Sequence, residues 1–231
     1  MPFSINISII SSMATRQVLA DLVAKFQQTS AFKVSVESVG GVDAARRVQA
    51  GEVFDMVVLA ANAIGQLMEA GRIVPGSQID LVKSGVSIAV RAGAPQPDIG
   101  SEEAVRQAVL NARSLSYSTG PSGVHLLKLF ERWGIADTIK NRIVQAPSGV
   151  PVGSLVASGE VELGFQQLSE LLHLSGVDVL GPLPPAIQIV TTFSAGLAVA
   201  STKAAAVRTL LDFMVSPAAL EAKLRNGMEP A

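Results

Sequence analysis

The chain has no cysteine, which excludes disulfide bridges, thiolate metal sites and a cysteine nucleophile. Its two histidines, His125 and His173, are far apart and lack the spacing of metal ligands. No apolar run reaches the length of about 18 residues that a membrane span needs. We therefore expect no metal or other cofactor and no insertion into a membrane.

Charged and aromatic residues are also scarce. Charged residues make up 16% of the chain and aromatic residues 4%, so the core must consist mainly of Ala, Val, Leu and Ile. This composition is typical of an α/β protein with buried parallel strands. The 18 basic and 19 acidic residues nearly balance and form no basic block, so nucleic acid is not an expected partner.

The N-terminus lacks the basic region and the long apolar region of a secretory signal, and its residues 3–10 are typical of a strand. As written, the sequence predicts a cytoplasmic protein. If a signal was removed from a longer chain, the protein is periplasmic.

Apolar runs typical of strands alternate with segments in which apolar residues recur at helical spacing. Strands are predicted at residues 3–10, 33–39, 54–59, 84–91, 114–118, 142–145, 161–167, 177–180, 187–193 and 194–200. Helices are predicted from residue 14, over 43–50, 62–70 and 102–112, after 121, and over 155–158 and 203–215. This order predicts an α/β fold with mixed, mostly parallel sheets.

Turns rich in serine and glycine connect several of these strands to helices. Their candidate ligand-binding residues are Ser11, Ser12 and Met13, then Gly40 and Gly41, then Ser122, Gly123 and Val124, and finally Gly149 and Val150. Unpaired N–H groups at a helix start attract anions, and a serine there can cap the first turn, as we expect of Ser122. The turns predict binding of a small anion, unless they only connect elements.

The order of these segments resembles that of the type 2 periplasmic binding proteins, and within them the molybdate-binding-protein-like group. The resemblance is carried by Ser11-Ser12, residues 41–51 and 55–58, Pro121-Ser122-Gly123, and residues 162–164 and 216–218. It implies two Rossmann-like lobes, residues 1–83 with 192–231 and residues 84–191, with a ligand cleft between them. Residues 87–90 and 189–193 are the candidate crossing strands. An exported protein of this kind would have an ABC transporter permease as its partner.

The implied binding site departs from that of the molybdate binders. The resemblance implies that the molybdate binders hold the oxyanion with two hydroxyl side chains, with backbone N–H groups and with a tyrosine. Here the first hydroxyl position falls on Ser11 or Ser12, the second on Gly41 and the tyrosine position on Gln167. A lost donor to a buried oxyanion costs about 1.5–3 kcal/mol. The resemblance therefore favours an organic di- or tricarboxylate over molybdate.

The group that this sequence resembles also includes aconitate isomerases, which move a double bond by abstracting and returning a proton. That chemistry needs a base but no metal or cofactor. His125 is the candidate catalytic base, with Arg46, Arg47 and Tyr117 as candidate charge partners. The alternative for His125 is a partly exposed helix residue. A regulator's effector domain is disfavoured, because no basic segment supplies a DNA-binding helix.

Overall fold

The computed structural model describes residues 5–147 and 149–231. Their strands are β1 Asn6–Ser12, β2 Lys33–Val39, β3 Met56–Ala60, β4 Ile79–Arg91, β5 Leu115–Tyr117, β6 Leu163–Gln167, β7 Val177–Pro182, β8 Val190–Leu197 and β9 Glu229–Pro230. Their α-helices are α1 Arg16–Thr29, α2 Gly41–Gln49, α3 Ala61–Glu69, α4 Glu102–Asn111, α5 Pro121–Arg132, α6 Ala136–Ile139, α7 Val152–Ser158, α8 Leu168–Leu171, α9 Ala204–Val215 and α10 Leu220–Arg225. The predicted α/β class is confirmed.

The chain divides into two compact units. Unit 1 comprises the chain up to Lys83 together with Thr192–Ala231, and unit 2 comprises Ser84–Thr191. The chain passes from one unit to the other twice, inside β4 and inside β8. In the described part of the chain, no helix combines the length and the hydropathy needed to cross a bilayer.

The sheet of unit 1 is mixed. Strands β2, β1 and β3 are parallel neighbours, and β8 pairs with β3 in the antiparallel direction. Every residue of β3 is buried, because helices cover both faces of the sheet. Met56 and Val58 belong to the core cluster that contains residues of α1 and α9, whereas Val57 and Leu59 belong to the cluster of α2 and α3.

The buried carboxylate of Asp55 forms hydrogen bonds that link several segments at the edge of unit 1 opposite the carboxyl ends of β1 and β3. Asp55 Oδ2 accepts from the Ser8 N–H at 2.8 Å and from Lys203 Nζ at 2.9 Å, and Oδ1 accepts from Ser201 Oγ at 2.7 Å. Burial by itself would raise the pKa of Asp55, but these hydrogen bonds outweigh it and lower the pKa. Asp55 therefore stays ionised and joins β1 to the start of α9.

The sheet of unit 2 is also mixed. Strand β4 pairs antiparallel with β6 and β7, while β5 runs parallel to β6. The core of unit 2 includes Val86, Tyr117, Phe130 and Phe165. Helix α7 lies so close to β6 that a Cβ on Gly164 would be 2.5 Å from Val156 Cγ2, so only glycine fits there.

Several of the predicted elements differ from the structure in their bounds or their type. Residues 142–145 form a single bridge between Ile143 and Leu115 instead of a strand, because Arg142 ends a 3₁₀ turn and its guanidinium donates to the carbonyls of Leu110 and Ala112, at 2.7 Å each. The two strands predicted from residue 187 to 200 are one continuous strand, β8. The start of the first predicted strand, residues 3 and 4, lies outside the described residues.

Candidate functional site

Three helical segments of unit 1 begin at the carboxyl ends of its parallel strands. A 3₁₀ turn, Met13–Thr15, follows β1 and leads into α1, Gly40 alone separates β2 from α2, and α3 follows β3 without a loop. Because Ser12 pairs with Val39 and Ser11 with Val58, these helix starts lie along one edge of the sheet. Ligands of open α/β sheets bind at this edge.

The two serines at the end of β1 differ in what their hydroxyls contact. Both are buried, but Ser11 Oγ lies 2.7 Å from Ser38 Oγ on β2, so one of these two hydroxyls donates to the other. Ser12 Oγ lies 3.4 Å from Thr15 Oγ1, at the limit of a hydrogen bond. Ser12 is therefore the better candidate of the two for binding a ligand.

Gly41 lies beside Ser12. A Cβ on Gly41 would lie 3.6 Å from Ser12 Cβ, which is an ordinary van der Waals distance. Gly40 is the N-cap of α2, and its carbonyl accepts the Ala44 N–H at 2.9 Å. The start of α2 and the Ser12 hydroxyl, with the half-buried Met13 next in the chain, form the candidate ligand-binding surface of unit 1.

The residues predicted as charge partners for the isomerase reaction have other partners or are buried. Arg46 Nη2 lies 2.7 Å from Asp43 Oδ1, and Arg47 pairs with both Glu37 and Glu52 at 2.5 Å. Tyr117 is buried in the core of unit 2, and burial raises the pKa of its phenol. The arginine side chains thus serve neighbouring carboxylates on the surface of unit 1.

In unit 2, the expected helix cap at Ser122 is wrong. Gly120 is the N-cap of α5 and Pro121 is its first residue, since the fixed φ of proline suits that position. Ser122 therefore falls inside the first turn, where its Oγ lies 2.9 Å from Ser118 Oγ. Ser122 is buried at the end of β5, but its hydroxyl caps no N–H group.

The backbone N–H groups of this turn are mostly used within it. Gly123 and Val124 both donate to the Gly120 carbonyl, at 3.0 and 3.3 Å, and Pro121 has no N–H. Within the described residues, no backbone carbonyl accepts the Ser122 N–H, which lies in the first turn of α5. A Cβ on Gly123 would lie 1.7 Å from the Ser118 carbonyl oxygen, so glycine is needed for packing α5 on β5.

The next turn precedes α7. Val150 donates its N–H to the Pro147 carbonyl at 3.0 Å, and Gly149 has a φ of 77°, which favours glycine. Ser148, in the same turn, lies outside the described residues. Of the two candidate donors, Val150 therefore has its N–H engaged within the turn, and for Gly149 no backbone acceptor is found among the described residues.

Two adjacent glutamines end β6. Gln166 Oε1 accepts the Gly153 N–H and Gln166 Nε2 donates to Glu170 Oε1, both at 2.9 Å. Gln167 Nε2 donates to Thr191 Oγ1 at 2.9 Å, whereas Gln167 Oε1 has no partner among the described residues. Burial raises the pKa of Glu170 to about 7, and the hydrogen bond from Gln166 offsets only part of this rise.

The family model of bacterial extracellular solute-binding proteins matches residues 7–229. The chain belongs to this family. A curated relative, the aconitate isomerase of a Pseudomonas species, is 32% identical over 231 residues, which cover 97% of this chain and 88% of the relative. The predicted resemblance to solute-binding proteins is thereby confirmed.

Solved structures show the same fold at low sequence identity. The periplasmic molybdate-binding protein of Azotobacter vinelandii matches with a TM-score of 0.81 and 19% identity, covering 97% of this chain and 99% of that one. The sulfate-binding protein SubI of Mycobacterium tuberculosis matches with a TM-score of 0.79 and 15% identity, covering 98% and 87%. At these identities the likeness establishes the fold alone.

Two features of this solute-binding protein bear on the enzyme hypothesis. His125 is exposed on α5, between the buried Gly123 and Leu126, and its role as a base stays a prediction. Glu170 was not among the candidate bases predicted from the sequence, although its position three residues after Gln167 was a signal that could have indicated it. Thr191, the partner of Gln167, was missed because 24 residues separate the two in the sequence.

Proposed function

We propose that this protein binds a small organic di- or tricarboxylate. The observation that supports this most directly is the chemistry of the strand ends, where the candidate groups are neutral donors and the nearby arginines are paired with carboxylates. In unit 1 the Ser12 hydroxyl and the start of α2 can donate to an anion without supplying a full charge, and in unit 2 the Ser122 N–H can do so by itself.

Gly41 and Gln167 argue against a tetrahedral metal oxyanion. Gly41 offers no hydroxyl beside Ser12, and the space there accepts a side chain without displacing Ser12. Gln167 contributes an amide, which presents an acceptor as well as a donor. A tetrahedral oxyanion therefore lacks one donor at Gly41, whereas a larger organic acid can fill the space there.

Calorimetric titration tests this proposal. The panel consists of molybdate, tungstate, succinate, malate, tricarballylate, citrate and the two aconitate isomers, titrated into the wild type and into Ser12→Ala. We expect binding of a polycarboxylate, weakened about tenfold in Ser12→Ala, and unchanged binding in Ser35→Ala, an exposed serine on β2. Tighter binding of molybdate than of every carboxylate, or no binding at millimolar ligand, would sink the proposal.

We also propose that the protein acts outside the cytoplasmic membrane with an ABC transporter permease. The match to the family of bacterial extracellular solute-binding proteins supports this location. Osmotic-shock fractionation of cells that express the native gene tests it, with a cytoplasmic marker enzyme as control. Retention of the protein with the marker would contradict export.

An aconitate isomerase is the second candidate function, favoured by the curated relative that is 32% identical over nearly the whole chain. Unit 2 also holds Glu170, whose pKa of about 7 suits a group that takes up and releases a proton near neutral pH. His125 is the other candidate base.

The isomerase proposal is tested by NMR on trans-aconitate in D₂O. The methylene carbon of trans-aconitate loses a proton and becomes vinylic, and the former vinylic carbon gains a proton, so we expect cis-aconitate to form with deuterium at that former vinylic carbon. Loss of the reaction in His125→Ala or in Glu170→Gln identifies the base. A spectrum that stays unchanged with the wild-type protein rejects the isomerase, and full activity in both variants rejects both bases.

A further inference from the structure

Gln167 occupies a buried position at the carboxyl end of β6. Its exposed fraction is 4%. Strands β5 and β6 are parallel, and Tyr117 is paired with Phe165. Extending this register by two residues past the end of β5 places Thr119 next to Gln167. Residue 119 directly precedes Gly120, the N-cap of α5. Gln167 therefore lies at the same sheet edge as the Ser122 turn.

The amide of Gln167 is only half satisfied. Its nitrogen donates to Thr191 Oγ1, but its buried oxygen accepts nothing within the described residues. Gln166, the preceding residue, has partners for both amide atoms. Of these two adjacent glutamines, Gln167 is thus the one whose amide oxygen lacks a partner within the described residues. Buried amide oxygens in folded proteins nearly always have a donor, and an orphaned one requires an explanation.

The other orphaned side-chain atoms in the described chain differ in kind. They are the hydroxyls of Ser30, Ser84, Ser87 and Ser116, and the last three lie inside strands or at a crossing point of the chain. A hydroxyl can rotate its hydrogen towards a nearby carbonyl, whereas an amide oxygen carries no hydrogen and needs a donor from another group. Gln167 is the one orphan that combines an amide with a strand's carboxyl end.

We propose that Gln167 makes the protein selective for a hydroxycarboxylate, a ligand whose hydroxyl donates to Gln167 Oε1. This inference rests on the proposed carboxylate binding. An ionised carboxylate is only an acceptor and cannot satisfy an amide oxygen, but a hydroxyl on the same ligand can. Sites built around a ligand hydroxyl discriminate strongly against analogues that lack it, because the buried partner is then left unpaired.

Two matched ligand pairs test the selectivity by calorimetry. Malate differs from succinate, and citrate from tricarballylate, by one hydroxyl. In the wild type we expect the hydroxylated member of a pair to bind about tenfold more tightly or better. In Gln167→Leu the preference should fall below about threefold, while Gln107→Leu, the same change at an exposed position on α4, should keep it.

A second variant covers the case in which Gln167→Leu does not fold. Gln167→Glu keeps an acceptor oxygen, so both members of a pair should bind more weakly through charge repulsion while the hydroxyl preference remains. Equal affinity within both pairs, or tighter binding of the member without a hydroxyl, would overturn the inference and leave carboxylate binding intact. If neither pair nor any other carboxylate binds, the proposed function itself fails.

Discussion

The carbonyl oxygen of Ser118 occupies the space where Gly123 would carry a side chain, since a Cβ there would lie only 1.7 Å from it. The end of β5 and the first turn of α5 are therefore held together by backbone contact. Backbone cannot move aside as the tip of a flexible side chain can.

Gly123→Ala should for this reason displace the start of α5. We expect a loss of about 1–3 kcal/mol in the free energy of unfolding, together with weaker ligand binding, because the Ser122 N–H moves with the turn. Urea denaturation and calorimetry measure the two effects. Gly65→Ala is the matched control, since Gly65 lies in α3 with no atom near its missing Cβ. That change should raise stability by about 0.5–1 kcal/mol. Equal stability changes in the two variants would contradict the packing role of Gly123.

Gly41→Ser should restore affinity for a tetrahedral oxyanion. The new Cβ makes an ordinary contact with Ser12 and brings a second hydroxyl beside it. A hydrogen bond to a charged group contributes about 1.5–3 kcal/mol, so molybdate should bind about 10- to 100-fold more tightly than to the wild type. Calorimetry with molybdate measures this, and Gly41→Ala separates the hydroxyl from the change in backbone freedom. A gain in Gly41→Ala as large as in Gly41→Ser would refute the role of the hydroxyl.

The Asp55 network should make stability depend on pH in the acid range. The pKa of Asp55 is lowered on folding, so its stabilising contribution is present above the ordinary value of 3.8 and is lost as the pH falls through the folded value. Asp55→Asn should lower the free energy of unfolding by about 2 kcal/mol at pH 7. The difference from the wild type should shrink towards pH 2, as measured by urea denaturation. A difference that stays constant with pH would show that charge is not the cause.

Glu170 should have the opposite pH dependence. Folding raises its pKa from 4.5 to about 7, so the protonated form is favoured in the folded state and stability is lost as the pH rises through this window. Glu170→Gln keeps an oxygen that can accept from Gln166 but cannot ionise. We expect it to be more stable than the wild type by about 1–3 kcal/mol at pH 8, allowing for partial solvent screening. At pH 4 the two proteins should be alike in urea denaturation, and a pH-independent difference would argue against titration of Glu170.

Elements are predicted well from the sequence where the spacing of apolar residues and the residues typical of turns or helix caps indicate the same bounds. Strand β2 has the predicted bounds, and α4 has the predicted cap, with Ser101 Oγ accepting the Ala104 N–H. Strand β4 was predicted too short because Ile79 to Lys83 follow a polar turn and carry two charges, although they pair with β9. Local patterns could not reveal a pairing with residues about 150 positions further on.

The candidate sites were less accessible from sequence, because what a polar atom contacts depends on distant residues. The pairing of Ser11 with Ser38, which favours Ser12 as the ligand group, follows from the register of two strands. Pro121 shifted the start of α5 and so removed the cap predicted at Ser122. The orphaned oxygen of Gln167 became visible only when the partner of its nitrogen, Thr191, was known.

The division of the chain within β4 and β8 has a consequence for synthesis on the ribosome. Unit 2 is one continuous segment, Ser84–Thr191, and all of its strands have been made once Thr191 has left the exit tunnel. Unit 1 is made first but lacks β8, α9 and α10 until the last 40 residues follow, and β3 has no antiparallel neighbour before then. Unit 2 can thus complete its fold before unit 1, although unit 1 is translated first. In the meantime β3, the most buried strand of unit 1, stays unpaired on one side.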